Sequence, residues 1–197
     1  VVLLSMLATP ALENIAHRIF ASSRASLATM PDFKIAEAGQ DTRPVVIVGF
    51  GRMGHRIGYI MELMKMPYVA IDNDVAIVER ERADGRSVYF GDARRTEVLR
   101  AAGVADAPLV IVSIDDFEAA EHVTSSLHAA FPQTPLFARG HDLRRCRHLR
   151  ELGADFTVSE TLEASAELAR AALLHAGARG DDVEVALERF RRDYYGR

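Results

Sequence analysis

From Pro44 onward, short continuous apolar runs alternate with stretches whose apolar residues recur every three or four positions. The runs are VVIV (45–48), YVAI (68–71), SVYF (87–90), LVIVSI (109–114), PLFA (135–138) and DFTV (155–158). Short, uniformly apolar runs are expected where a strand is covered on both faces, as in a parallel sheet. Between them Met53, Ile57, Ile60, Met61 and Met64 share one helical face, and a second helix is expected from about Asp74. A short helix is expected over 94–102, and a long one to Phe131 turns Ala120, Val123, Leu127 and Phe131 inward. A further helix turns Leu143, Cys146, Leu149 and Leu152 inward and leaves Arg144, Arg145, Arg147 and Arg150 on a solvated face. Strands alternating with helices in this way predict an α/β fold: a Rossmann-like doubly wound parallel sheet of six strands.

Beyond Val158 the pattern is helical to the end. Residues 162–176 are nearly all Ala and Leu around the full circumference. A helix apolar on every side must be covered on more than one side, so a second copy of the chain, a homodimer, is expected. The last helix is expected to open on a capping box, Asp181 with Glu184, with Val183, Leu187, Phe190 and Tyr194 as its stripe. Ahead of residue 44, Leu12, Ile15, Ala16, Ile19 and Phe20 give Pro10–Met30 an amphipathic helical face. Residues 31–43 have no period and read as a linker. Val1–Ala8 is apolar but far short of the roughly 20 residues that span a bilayer. Two readings stand for it: an apolar start packed on the domain, or the cut end of a membrane helix.

Composition narrows the classes. The chain has 197 residues, 49% of them hydrophobic, enough for one packed domain with appendages. Its net charge of −4 lacks the basic footprint of a nucleic-acid binder, so no nucleic-acid partner is expected. The single cysteine, Cys146, excludes a disulfide framework and points to a reducing compartment; on the inner face of its helix it reads as a core residue. The seven histidines form no metal motif, and no metal is expected.

The strongest motif is Gly49-Phe50-Gly51-Arg52-Met53-Gly54, directly after VVIV and opening a helix. Gly49 permits the tight turn, Gly51 lets a phosphate approach the backbone, and Gly54 lets the helix pack against the strand. Backbone amides and the positive helix end then hold the phosphate. Asp72 ends the next strand, followed by Asn73; its carboxylate can accept from both ribose hydroxyls and would repel a 2′-phosphate, which disfavours NADP. Arg52 is placed to reach a phosphate. Gly91-Asp92-Ala93 follows the third strand: Asp92 could accept from an adenine amino group while the Ala93 amide donates to the ring, or Asp92 could cap the helix that follows. Ser113, Ile114 and Asp115 end the fourth strand, at the edge where such sheets bind ligands. No nucleophile motif, Walker lysine or His–carboxylate pair stands out, and a substrate domain is missing. A self-contained enzyme is therefore not expected, although an NAD-dependent oxidoreductase fragment is the rival class.

The run GFGRMG, the strand end Ile71-Asp72, the tripeptide Gly91-Asp92-Ala93 and Val112-Ser113-Ile114-Asp115-Asp116 together resemble the RCK or TrkA-N domains that gate potassium transport. Within that group the chain is similar to the Kef-type potassium/proton antiporters, through Ala138-Arg139, Leu152-Gly153-Ala154-Asp155, Glu160-Thr161-Leu162-Glu163 and Phe190-Arg191-Arg192. Leu4-Ser5-Met6-Leu7-Ala8-Thr9-Pro10 looks like the end of such an antiporter's last transmembrane helix. The resemblance implies a cytosolic domain at the bacterial inner membrane, fused to the antiporter domain of the same polypeptide and dimeric. It implies binding of AMP or NAD(H) as a regulatory ligand, not turned over. The residues it implies for that ligand are Gly49, Phe50, Gly51, Arg52, Met53, Gly54, Asp72, Asn73, Gly91, Asp92, Ala93, Ser113, Ile114 and Arg139. It divides the chain into a membrane-helix end (1–10), an amphipathic helix and linker (11–43), the nucleotide-binding domain (44–160) and a helical dimerisation extension (161–197). Glutathione-gated members resemble Ala-Arg-Ala-Arg-Asp where this chain has Ala138-Arg139-Gly140-His141-Asp142, and carry an asparagine near Asp193 and Tyr194. As aligned, both glutathione-contacting types are missing, so glutathione-gated potassium efflux is the alternative reading.

Overall fold

The computed structural model describes residues 43–196. The membrane-helix end expected at 1–10 and the amphipathic helix and linker expected over 11–43 fall outside them, apart from Arg43. Six strands form one sheet: β1 (Val45–Val48), β2 (Tyr68–Asp72), β3 (Val88–Phe90), β4 (Val110–Val112), β5 (Leu136–Gly140) and β6 (Phe156–Ser159). The order is β3-β2-β1-β4-β5-β6, and every pairing is parallel. The expected doubly wound fold is present. The described helices are α1 (Arg52–Leu63), α2 (Val75–Ala83), α3 (Thr96–Ala101), α4 (Phe117–Ala130), α5 (Leu143–Glu151), α6 (Glu160–His175) and α7 (Gly180–Tyr195).

Right-handed crossovers lead α1 and α2 away from β1 in one direction and α4 and α5 in the other, so they cover opposite faces of the sheet. β1 and β2 are buried at every residue, as their unbroken apolar runs require. On β5 and β6 burial alternates instead. Leu136, Ala138, Gly140, Thr157 and Ser159 are buried, while Phe137 and Phe156 lie exposed on the other face with ring centroids 5.0 Å apart. The sixth strand is present as expected, but it is covered less fully than β1: Phe156 is 51% exposed while Thr157 and Ser159 are buried.

Three helix details also differ from the pattern. On α1 the sheet-facing side is Gly54 and Gly58, with Ile57 and Met61 partly buried, while Ile60 and Met64 point outward. The helix sits so close to β1 that glycines, not large side chains, occupy the contact. On α7 the box does not form: the helix starts at Gly180 after Arg179, with no side-chain cap, and Asp181 lies inside the first turn. On α6 only Leu162 and Ala166 are buried, Ala166 in a cluster with Val183 and Leu187 of α7, and Leu168, Leu173 and Leu174 stay exposed.

The side chains that tie α1 to α2 meet at one buried acid. Glu81 is 1% exposed. Its Oε2 is 2.9 Å from Nδ1 of His55 and accepts from Arg86 Nη1 at 2.8 Å, while Oε1 accepts from Arg80 Nε and Nη2 at 3.0 and 2.8 Å. Burial alone would raise its pKa, but hydrogen bonds from Arg80, His55 and Arg86 outweigh burial and hold the carboxyl below its ordinary value. A depressed folded pKa gives stability that is present above the unfolded value and lost as pH falls through the folded one. Glu81→Gln should lower unfolding free energy at neutral pH by about 3 kcal/mol. The wild type should also lose stability as pH drops below about 4.3, with a smaller loss in the variant. Urea unfolding over a pH series measures both; equal stability of the two proteins at neutral pH would refute the assignment.

Candidate functional site

The strand order reverses between β1 and β4, and there the carboxyl ends of the sheet open into a cleft of about 410 Å³. Its wall begins at the turn after β1. Gly49 has φ +87°, a conformation that a side chain disfavours. A Cβ on Gly54 would stand 2.2 Å from the Gly49 carbonyl oxygen, so only glycine lets α1 start this close to the strand. A Cβ on Gly51 would meet nothing within 4 Å. That open space lies at the N-terminus of a 12-residue helix whose first-turn amides have no side-chain cap. Unpaired amides at the positive end of a helix dipole are suited to an anionic group such as a phosphate.

The floor is Asp72, 9% exposed at the end of β2. Its Oδ2 accepts from the Phe50 amide at 2.6 Å and its Oδ1 from the Asp74 amide at 2.8 Å. The carboxylate thus joins the glycine turn to the start of α2. Each oxygen has a further lone-pair site for a hydroxyl donor. Opposite, Ser113 spends its hydroxyl proton on the Gly49 carbonyl at 2.6 Å.

Of the residues expected here, Gly49, Gly51, Asp72, Asn73, Gly91, Asp92, Ala93, Ser113 and Ile114 line the cleft. The others stand behind or beside it. The Phe50 ring is fully buried and stacks on Tyr68 at 5.8 Å, so only its backbone faces the turn. Met53 and Gly54 belong to the first turn of α1. Arg52 is 80% exposed and lines a neighbouring groove with His55, Arg56 and Arg80, its Nη2 3.6 Å from Asp115. Arg139 is 10% exposed and donates to the Ile114 carbonyl at 3.1 Å; it pairs with Asp115 at 2.6 Å and with Glu160. The hydrogen bond from Arg139 holds the Glu160 carboxyl below its ordinary range.

The alternative roles for Asp92 are resolved in part. It does not cap α3, whose cap residue is Arg95 with no side-chain bond. It caps the turn, accepting the Arg94 amide at 3.0 Å, and is gripped by the Arg94 guanidinium. That side-chain hydrogen bond holds Asp92 below the usual carboxylate range. Arg94 lines the cleft and escaped sequence reasoning, because an i,i+2 pairing inside a loop has no periodic signature. Asp74 and Asp116, which also line it, cap α2 and α4. An aspartate just before each helical run was the signal for those two.

Cys146 is buried, and its thiol is pushed up by burial, which suits an inert core residue. Among the described residues no cluster of His, Cys, Asp and Glu is arranged to hold a metal, and no helix is long and apolar enough to cross a membrane.

Fold and cleft together define a Rossmann-type ligand-binding domain with its opening at the topological switch point. The chain belongs to the TrkA-N domain family, whose model matches residues 45–160. A glutathione-regulated potassium-efflux system protein KefC of Escherichia coli O139:H28 is 32% identical over 191 residues, 97% of this chain and 30% of that protein. This chain thus spans about 30% of the curated relatives' length. The Shewanella denitrificans Kef CTD in its AMP-bound form matches at 27% identity and TM-score 0.68, over 78% of this chain and 94% of that one. The GsuK channel bound to NAD matches at 27% identity and TM-score 0.54, over 65% of this chain and 22% of that one.

Proposed function

We propose that the cleft binds an adenine nucleotide, AMP or NAD(H), and that the domain thereby regulates a Kef-type potassium/proton antiporter, as its cytoplasmic part at the inner membrane. The observation that carries the reading is the open Gly51 backbone at the N-terminus of α1, with the Asp72 carboxylate beside it. Phosphate on the amides and ribose on the carboxylate would anchor a nucleotide at two points. The AMP-bound Kef domain and the NAD-bound GsuK channel are relatives whose ligands fit those two points. Residues 44–160 form the nucleotide-binding part in this reading, with Arg52 and Arg139 as supporting cations. In this reading the nucleotide acts as a regulatory ligand and is not turned over. Glutathione is left outside it: where gated members resemble an arginine, His141 stands 3.8 Å from Glu160.

A ligand changes an equilibrium only by its differential affinity for the two states. A tenfold preference supplies about 1.4 kcal/mol per site, and a dimer has two. The exposed Leu168, Leu173 and Leu174 of α6 support a second copy of the chain as their cover, making residues 161–197 a dimerisation extension.

Calorimetry should show AMP and NADH binding, with NADPH much weaker because its 2′-phosphate meets Asp72. Asp72→Asn should weaken AMP by about 1–3 kcal/mol and narrow the NADH/NADPH gap. Equal wild-type affinity for NADH and NADPH would sink the ribose assignment. Regulation itself is tested by ion flux in vesicles holding the full-length parent protein. Flux should change with nucleotide, and Arg52→Ala should reduce that change; flux indifferent to both leaves the nucleotide a structural ligand only. Light scattering at micromolar concentration should give a dimer that Ala169→Arg dissociates, and a wild-type monomer would remove the dimer from the reading.

A further inference from the structure

We propose that Arg94 is a positioning residue that sets the base preference of the cleft: by gripping Asp92 it leaves one aimed acceptor, which favours a base carrying an exocyclic amino group over one carrying a carbonyl there. The inference rests on reading the cleft as a nucleotide site and concerns which base it takes.

The position of the base follows from the length of the cleft. The glycine turn forms one end and Asp72 the floor, so a base on the same ribose extends toward the loops after β3 and β4. The walls there include Ile77, Ala93, Ile114, Ala119 and Val123. Such apolar surfaces suit the flat face of a purine. The polar side chains of these loops that line the cleft are Asp92, Arg94, Ser113, Asp115 and Asp116, with Asn73 after β2. Ser113 gives its hydroxyl proton to the Gly49 carbonyl, and Asp115 pairs with Arg139 at 2.6 Å. Asp116 is committed, because its Oδ1 accepts the Ala119 amide at 2.7 Å as the cap of α4.

Arg94 meets Asp92 side-on. Its Nε lies 2.9 Å from Oδ1 and 3.2 Å from Oδ2, and its Nη2 lies 2.8 Å from Oδ2. The Arg94 amide gives Oδ1 a further bond at 3.0 Å. A carboxylate offers about four lone-pair sites and, when ionised, accepts only. Oδ1 has therefore taken two good donors, whereas Oδ2 has one good donor and a longer shared one. The vacant acceptor is on Oδ2. A planar fork fixes the plane of the carboxylate as well as its charge, which a single ammonium contact does not. An adenine amino group donates to such an oxygen. A carbonyl in the same place sets lone pairs against it and leaves both groups unpaired, and a site built for one hydrogen-bonding partner rejects an analogue in that way. Without the Arg94 guanidinium only the backbone amide of residue 94 still holds Oδ1, so the half-exposed carboxylate can rotate about that single bond and the Oδ2 acceptor is no longer aimed.

The test is calorimetry on the 197-residue chain with AMP and inosine monophosphate, which carries a carbonyl in place of the amino group. The wild type should favour AMP by about tenfold or more. Arg94→Ala should bring the two nucleotides within about twofold of each other, and Arg94→Lys, which keeps the charge and loses the fork, should restore part of the gap. Circular dichroism establishes that both variants are folded. An AMP preference unchanged in Arg94→Ala overturns the inference. So does an equal loss of affinity for both nucleotides, which would make Arg94 a structural tie only. A wild type that binds neither nucleotide overturns the underlying nucleotide reading instead.

Discussion

The close approach of α1 to β1 is the constraint on which the rest of the site depends. Gly54 lies against the Gly49 carbonyl, and Gly58 against Phe50 and Tyr68, where a Cβ would come within 2.2 and 2.7 Å of existing atoms. Any larger residue at either place would have to push the helix off the sheet. Because the helix stays down, its uncapped N-terminus opens at the carboxyl edge of β1, while the Gly49 and Phe50 amides of the turn are held by the Ile71 carbonyl and by Asp72. The same approach buries the Phe50 ring and turns its amide toward Asp72, so the floor and wall of the cleft are set by one contact. It also leaves the outer side of α1, with Tyr59, Ile60, Leu63 and Met64, exposed.

The cleft is rich in carboxylates for a site proposed to take a phosphate: Asp72, Asp74, Asp92, Asp115 and Asp116 all line it. Each is matched by local donors. Asp72 accepts two backbone amides, Asp74 and Asp116 cap helices, Asp92 is held by Arg94, and Asp115 faces Arg139 and Arg52. Charge-assisted bonds of this kind offset much of the repulsion an anion would meet, without removing the remaining lone pairs. The acidic lining is therefore compatible with anion binding, provided the anion sits at the amide end and the hydroxyl and amino donors sit over the aspartates.

The fold was legible because its strands are short, apolar and evenly spaced, and because GFGRMG falls where strand gives way to helix. Asp72 and the Gly91-Asp92-Ala93 loop were legible by the same logic, as ends of successive strands. What the pattern hid has three physical causes. Periodicity identifies apolar faces without saying how wide a contact is, so Ile60 and Met64 were read as inward although glycines make the contact. A run of apolar residues does not say whether both faces of its strand are covered, and Phe156 is half-exposed while its neighbour Thr157 is buried. Loop side chains that pair with one another, as Arg94 does with Asp92, obey no spacing rule at all.

Arg139 also had a place in the sequence reading, but its neighbours give it a different part from direct contact. Arg52, Asp115, Arg139 and Glu160 form a row of alternating charge from the glycine turn to the first residue of α6. The links differ in strength. Arg52 and Asp115 are both well exposed and 3.6 Å apart, a contact worth about 0–1 kcal/mol at most. Arg139 is nearly buried, with short contacts to Asp115 and Glu160 and a bond to the Ile114 carbonyl. The loose link is thus at the cleft and the stiff one at α6. Under the proposed reading, a phosphate beside Arg52 exchanges one weak partner for a stronger one at little cost. Arg139 thus ties the edge of the cleft, at Asp115 and Ile114, to the first residue of the helix whose leucines are exposed.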